Sequence, residues 1–236
     1  MKIFVVFGSK SDENVALPLV QALSKDFEVE YEPISAHREL EKLEKKMKDW
    51  KGDAVVAGAG LAAALPGVVA AMTGKPVFGV PVPSQFGGLD SFASIAQMPP
   101  GVPVMTSGPV STDPIVDFLK KYKNWKKTKS VHFVSALSHP DLLAEIEKAK
   151  TLGGEKGLAV SFSPEKKPDA LNIVVVSKPE DVKKDDFCLY VPFLPKSEAQ
   201  KPGAYPAVVE WANRGGLWVG VNNTRNAVQS AVRLAS

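Results

Sequence analysis

SAHR, residues 35–38, sets a histidine beside an arginine where an alternating run, FEVEYEPI (27–34), gives way to a charged helical stretch. An imidazole titrates near neutrality, so His37 suits proton transfer. A guanidinium forks onto phosphate or carboxylate oxygens, so Arg38 suits an anionic ligand. Upstream, GSKSD (8–12) follows the apolar run IFVVF. There Gly8 permits a tight turn, and Ser9, Ser11 and the open amides of a helix start could hold a phosphate. Asp12 would either cap that helix or meet the ligand. GAGLAAALPG (58–67) offers backbone amides and a small apolar wall, for ligand or for tight helix–strand packing. Each loop also has a plain structural reading: a solvated His–Arg pair, a short Gly–Ser turn, a packing contact. Their convergence on one edge is what would make a site.

The elements that must position these loops alternate. KIFVVFG (2–8), FEVEYEPIS (27–35), DAVVAGAG (53–60), KPVFGVPVP (75–83) and GVPVMTS (101–107) read as strands. Helices separate them at 13–25, 38–50, 65–74 and 89–98, and another follows near 113–122; Pro18 is an oddity inside the first. That rhythm is the pattern of a parallel sheet covered on both faces, whose ligands bind at the carboxyl ends of the strands. After KNWKKTK (123–129) the rhythm restarts. SVHFVSALSHPDLLAEIEKAK (130–150) parallels the start of the chain, and GLWVGVNNTRNA (216–227) parallels GVPVMTSGPVSTDP. The expectation is a diverged tandem duplication: residues 1–124, a linker at 125–128, and 129–236. The second copy would be shortened, with its second and third helices reduced to PEKKPD (164–169) and KPEDVKKDD (178–186).

Composition narrows the classes. The net charge of +3 is mild, and its excess lies in two runs that read as solvated faces, so no nucleic-acid partner is expected. The single cysteine, Cys188, sits in an apolar run and reads as core; one cysteine allows no internal disulfide, which fits a reducing cytoplasm. The start turns polar too soon for a secretory signal. The uncharged stretch 54–73 carries three glycines and a proline and reads as a buried strand plus a packed helix, so no membrane partner is expected. No metal cluster and no dinucleotide fingerprint occurs, and no cofactor is expected.

In order, the motifs GSKSD, SAHR, AGAG-x-AA-x-LPG, GVPV, GLDS-x-x-SI-x-QMP-x-GVPV and NN-x-x-NA resemble those of the PurE family, over residues 2–108 and again at 222–227. The resemblance implies a flavodoxin-like three-layer sandwich and an enzyme of purine biosynthesis. Its product would be 4-carboxy-5-aminoimidazole ribonucleotide, made with CO2 or by carboxylate transfer from an N5-carboxy isomer. It implies that Ser9, Ser11 and Arg38 hold the substrate phosphate and that Asp12 contacts the ribose. His37 would move the proton at the imidazole carbon. Ser35 and Ala36, together with Gly58, Ala59, Gly60, Ala64 and Leu65, would complete the substrate-binding set. It also implies octamers with sites at subunit contacts, which a two-domain chain would mimic as a homo-tetramer.

Two departures stand out. The mutase type carries a histidine just before LPG, where this chain has Ala64, and usually a glycine where it has Leu61; Ala64 tilts the expectation toward direct use of CO2. The second copy has SALSHPD for GSKSD and SFSPEK for SAHR, so it reads as structural, with His132 and His139 structural or solvated. Alternatives are a catalytically silent nucleotide-binding or scaffolding relative, and a carboxylating enzyme for another phosphorylated substrate.

Overall fold

The computed structural model describes residues 1–125, 128–183 and 187–236. The expected linker therefore lies partly outside the described residues, at Lys126 and Lys127, as do Lys184, Asp185 and Asp186 of the second reduced helix. The first half runs β1 (Lys2–Phe7), α1 (Glu13–Leu23), β2 (Glu28–Pro33), α2 (Leu40–Asp49), β3 (Ala54–Ala59), α3 (Leu65–Met72), β4 (Val77–Pro81), α4 (Leu89–Ala96), β5 (Met105–Ser107) and α5 (Asp113–Trp125). The second runs β6 (Ser130–Val134), α6 (Pro140–Glu155), β7 (Ala159–Ser163), β8 (Leu171–Val176), β9 (Cys188–Pro192), α7 (Lys196–Ala199), α8 (Ala204–Ala212), β10 (Leu217–Trp218) and α9 (Thr224–Ala235).

One sheet spans both halves, in the order β2-β1-β3-β4-β5-β10-β9-β8-β6-β7. Every pairing is parallel except β5 with β10, which is antiparallel. Read outward from that join, each half has the same strand order. The sheet is buried on both faces, and side-chain alternation divides its core. Ile3, Val5 and Phe7 face the layer that holds α1, α5, α6 and α9. Phe4 and Val6 face α2 and α3, while Val174, Val176 and Trp218 face α4 and α8.

Most expected elements are present, and the strands that close each half are shorter than the sequence suggests. Of GVPVMTS only the last three residues pair, because Gly101 sits at φ +94° and Pro103 has no N–H to give a ladder. Pro18 lies inside α1 on its exposed side; the bond it deletes is one to the Asn14 carbonyl, at the solvent surface. On the outer strand β2, Glu30 and Glu32 pair with Lys46 and Lys42 of α2, a charged edge that discourages further strand addition.

The halves differ on the face opposite α6. In the first, Phe4 pairs in register with Val55 and Glu30, and packs against Trp50 beneath α2. In the second, the corresponding His132 pairs with Asn172 and Ser161. Among the described residues no helix covers it; the irregular segment 164–170 reaches it, with the Glu165 carbonyl at 2.9 Å. The third helix is likewise replaced by a short 3-10 turn, Pro179–Asp181.

Candidate active site

The carboxyl ends of β1, β2, β3 and β4 meet at a cavity of about 470 Å³. Its lining contains Gly8, Ser9, Ser11, Asp12, Ser35, Ala36, His37, Arg38, Ala59, Gly60, Ala64 and Leu65. All the expected site residues but one therefore share a single cavity. The exception is Gly58, which lies behind the wall: its carbonyl accepts from the Gly8 N–H at 3.0 Å, and a side chain there would strike the Phe7 ring at 2.3 Å. Its lack of a side chain lets β3 close on Phe7, and its carbonyl holds the start of the Gly8–Asp12 loop.

That loop is a single 3-10 turn, Lys10–Asp12, ahead of α1. The Ser11 N–H donates to Ser9 Oγ at 3.2 Å, and the Ser11 hydroxyl lies 2.8 Å from Ser9 Oγ and 3.1 Å from Asp12 Oδ1. Asp12 occupies the N-cap position of α1 without a side-chain bond to the helix amides. Burial pushes its carboxyl above the ordinary aspartate value, and the Ser11 hydrogen bond partly opposes this. Asp12 is thus presented to the cavity and not spent as a cap.

The SAHR turn follows β2, anchored where the Ile34 N–H donates to the Phe7 carbonyl at 2.9 Å. His37 and Arg38 are exposed at its tip, and among the described residues neither side chain forms a hydrogen bond or ion pair within the protein. Both can therefore turn to a ligand. Of the three histidines only His37 lines the cavity. His132 is fully buried in β6, with Nδ1 2.7 Å from Ser161 Oγ and Nε2 2.9 Å from both Ser163 Oγ and the Glu165 carbonyl. His139 caps α6, accepting from the Asp141 N–H at 3.2 Å.

The opposite wall is apolar and begins α3. Ala64 stands at the N-cap position with no side chain able to cap, so the positive end of the helix opens toward the cavity. Leu61 is 55% exposed on the rim with φ +54°, a left-handed conformation that costs a branched side chain about 1 kcal/mol or more. That conformation explains why glycine suits the position. Asn14, Val82, Pro83 and Ser84 also line the cavity. Asn14, the second residue of α1, carried no signal in the sequence; the other three lie on the loop that follows β4.

Among the described residues the second half carries no copy of this arrangement. Its segment 164–170 contains neither histidine nor arginine, and the residues after β8 are Ser177 and Lys178 in place of Gly60 and Leu61. A cavity of about 340 Å³ lies at the junction of the halves, between α5 and the turn 212–217; it holds charges of both signs and no histidine. Among the described residues no cluster of side chains has metal-ligand spacing, and no helix is long and apolar enough to cross a membrane.

Comparison with known proteins agrees with where these loops lie. The model of the AIR carboxylase family matches residues 2–110. The N5-carboxyaminoimidazole ribonucleotide mutase of Methanocaldococcus jannaschii is 50% identical over 108 residues, which cover 45% of this chain and 68% of that protein. The mutase of Saccharolobus solfataricus is 46% identical over 111 residues, 44% of this chain and 70% of the relative. That of Mycobacterium leprae is 44% identical over 110 residues, 44% of this chain and 64% of the relative. The matched part is the half that bears the cavity, and with half its residues shared across two thirds of such a relative, the chain belongs to the AIR carboxylase family.

Proposed function

We propose that the protein acts in purine biosynthesis, converting N5-carboxyaminoimidazole ribonucleotide to 4-carboxy-5-aminoimidazole ribonucleotide. One observation carries the reading: the serine-rich turn, the His37–Arg38 pair and the small apolar wall line one cavity at the carboxyl edge of the sheet. Ser9, Ser11 and Arg38 bind the phosphate, and Asp12 meets the ribose. His37 donates a proton to the exocyclic nitrogen as its carboxylate departs as CO2. The wall of Ala62, Ala63, Ala64 and Leu65 holds that CO2 away from water. The imidazole carbon C4 attacks it, and His37 recovers its proton from C4, so the cycle closes with no net change in the enzyme.

The names of the relatives favour this carboxylate transfer. Ala64 favours a second reading, direct carboxylation, because only one histidine faces the cavity; there His37 would begin neutral and take the C4 proton alone. Offering aminoimidazole ribonucleotide with bicarbonate, and separately the N-carboxylated isomer, separates the two by which yields product. Product from neither leaves the silent, scaffolding reading or a carboxylating enzyme for another phosphorylated substrate.

The second half is a shortened copy, with the division at 1–124 and 129–236. Equal strand order on both sides of the β5–β10 join supports this, as does the equivalent register of Phe4 against Val55 and of His132 against Asn172. Such a chain is a fused pair, and four of them assemble around sites that lie at subunit contacts. Exposed Leu61 on the site's rim and exposed Phe86, two residues past the lining Ser84, support such contacts.

A further inference from the structure

The turn that presents His37 and Arg38 belongs to no helix or strand, so its shape must be fixed from outside. Ser35 at its base is only 8% exposed, and buried backbone groups need partners. Both of its backbone groups go to one residue. The Ser35 N–H donates to Glu39 Oε2 at 3.1 Å, and the Ser35 carbonyl accepts from the Glu39 N–H at 2.8 Å. These two bonds close a ring around residues 36–38. Glu39 is at the same time the N-cap position of α2, where its carbonyl accepts from the Leu43 N–H at 3.0 Å. Its other oxygen lies 3.6 Å from Lys42 Nζ, which lies 2.8 Å from Glu32 on β2. One side chain therefore ties the turn to the helix behind it and to the strand before it.

We propose that Glu39 is a positioning residue for the active site, holding the 35–38 turn so that His37 and Arg38 stand over the cavity. The proposal rests on the carboxylate-transfer reading of that site for its kinetic consequence, though not for its structural one. What the turn needs from Glu39 is an acceptor oxygen for a buried N–H, not a charge. The ion pair with Lys42 joins side chains 49% and 43% exposed, where solvent screening leaves little coupling. An amide should therefore replace the carboxylate, and removal of Lys42 should matter little. A turn released by loss of the acceptor would misplace both functional side chains, and displacements near 1 Å cost about 100-fold.

The test uses the full chain in four forms: wild type, Glu39→Ala, Glu39→Gln and Lys42→Met. With the N-carboxylated ribonucleotide as substrate, Glu39→Ala should lose about 30- to 100-fold in kcat/KM while its circular dichroism is unchanged. Glu39→Gln and Lys42→Met should stay within about threefold of wild type. Amide exchange of the peptide spanning 35–39 should be faster in Glu39→Ala alone, whatever the reaction. Exchange unchanged in Glu39→Ala overturns the proposal, and so does a Glu39→Gln variant as damaged as Glu39→Ala. A wild type without turnover refutes the proposed reaction instead, and the exchange comparison then decides the role of Glu39 by itself.

Discussion

At the scale of single residues, chemistry and strain sit together on the cavity rim. The types His37, Arg38, Ser9, Ser11 and Asp12 were legible in the sequence because each follows directly on a strand-like run, apolar before Ser9 and alternating before His37. What the sequence did not show was how they are held. Glu39 looked like one more helix charge, and its tie to Ser35 exists only once the turn is folded. Gly58 looked like part of the wall, yet the Phe7 ring explains the glycine better than the cavity does. Leu61 is the strained exception, at φ +54° with an exposed side chain. Replacing it by glycine relieves a left-handed penalty of about 1–2 kcal/mol and adds about 0.5–1 kcal/mol of backbone entropy cost. Leu61→Gly should therefore leave stability unchanged or raise it by about 1 kcal/mol in urea titration; a loss of that size would mean the side chain packs usefully.

At the scale of elements, polar networks stand where helices or neighbours are missing. His132 is covered by segment 164–170 in place of a helix, and the Glu165 carbonyl can only accept, so Nε2 carries the proton and Nδ1 accepts from the Ser161 hydroxyl. Lys167 donates to that same hydroxyl at 3.1 Å. Burial, seconded by the Lys167 charge and partly opposed by the Glu165 carbonyl, holds His132 below the ordinary histidine value. The folded state thus binds its proton less readily than the unfolded chain. Stability is full above about pH 6.5 and falls as the pH drops below it toward the lowered value. His132→Asn should flatten that decline in urea midpoints measured between pH 7 and 5; an unchanged pH profile would show that His132 does not cause it. The reduced helices were visible in the sequence as proline- and charge-rich gaps, but the polar cover was not, because it depends on Asn172 and Ser161 arriving beside His132 from other strands.

A second element joins the halves. Asn226 of α9 is buried; its side chain accepts from the Gly101 N–H at 2.9 Å and donates to the Pro99 carbonyl at 3.0 Å, while Asn223 donates to the Met98 carbonyl at 2.9 Å. Arg233 at the far end of α9 reaches the Ala70 carbonyl at 2.9 Å. The motif NN-x-x-NA therefore grips the loop after α4 from across the join. Asn226→Ala would leave the Gly101 N–H and the Pro99 carbonyl without their side-chain partner and should cost about 1–3 kcal/mol. An effect under about 0.5 kcal/mol would show that water replaces the side chain there.

At the scale of the whole molecule, the α/β rhythm could be read directly, since buried strands alternating with amphipathic helices leave a periodic apolar pattern in both halves. The fusion of both halves into one sheet could not, because β5 and β10 are too short to announce a pairing; it is the antiparallel join that makes the sheet continuous. Across that join Tyr122 of α5 donates to the Leu234 carbonyl of α9, and burial raises its phenol to about 12. The helical layer thus crosses the same boundary as the sheet. The proposed assembly of four chains predicts a mass near four chains in light scattering of the full chain; a clean monomer would refute the tetramer.

The most direct test of the central claim joins the residue to the reaction. The full chain is mixed with N5-carboxyaminoimidazole ribonucleotide, and formation of the C4-carboxylated product is followed by absorbance, for wild type and for His37→Asn. Wild type should turn over, and the variant should lose about 1,000-fold or more in rate while still binding the ribonucleotide within a few-fold. Product formed by His37→Asn at the wild-type rate, or by neither protein, would contradict it.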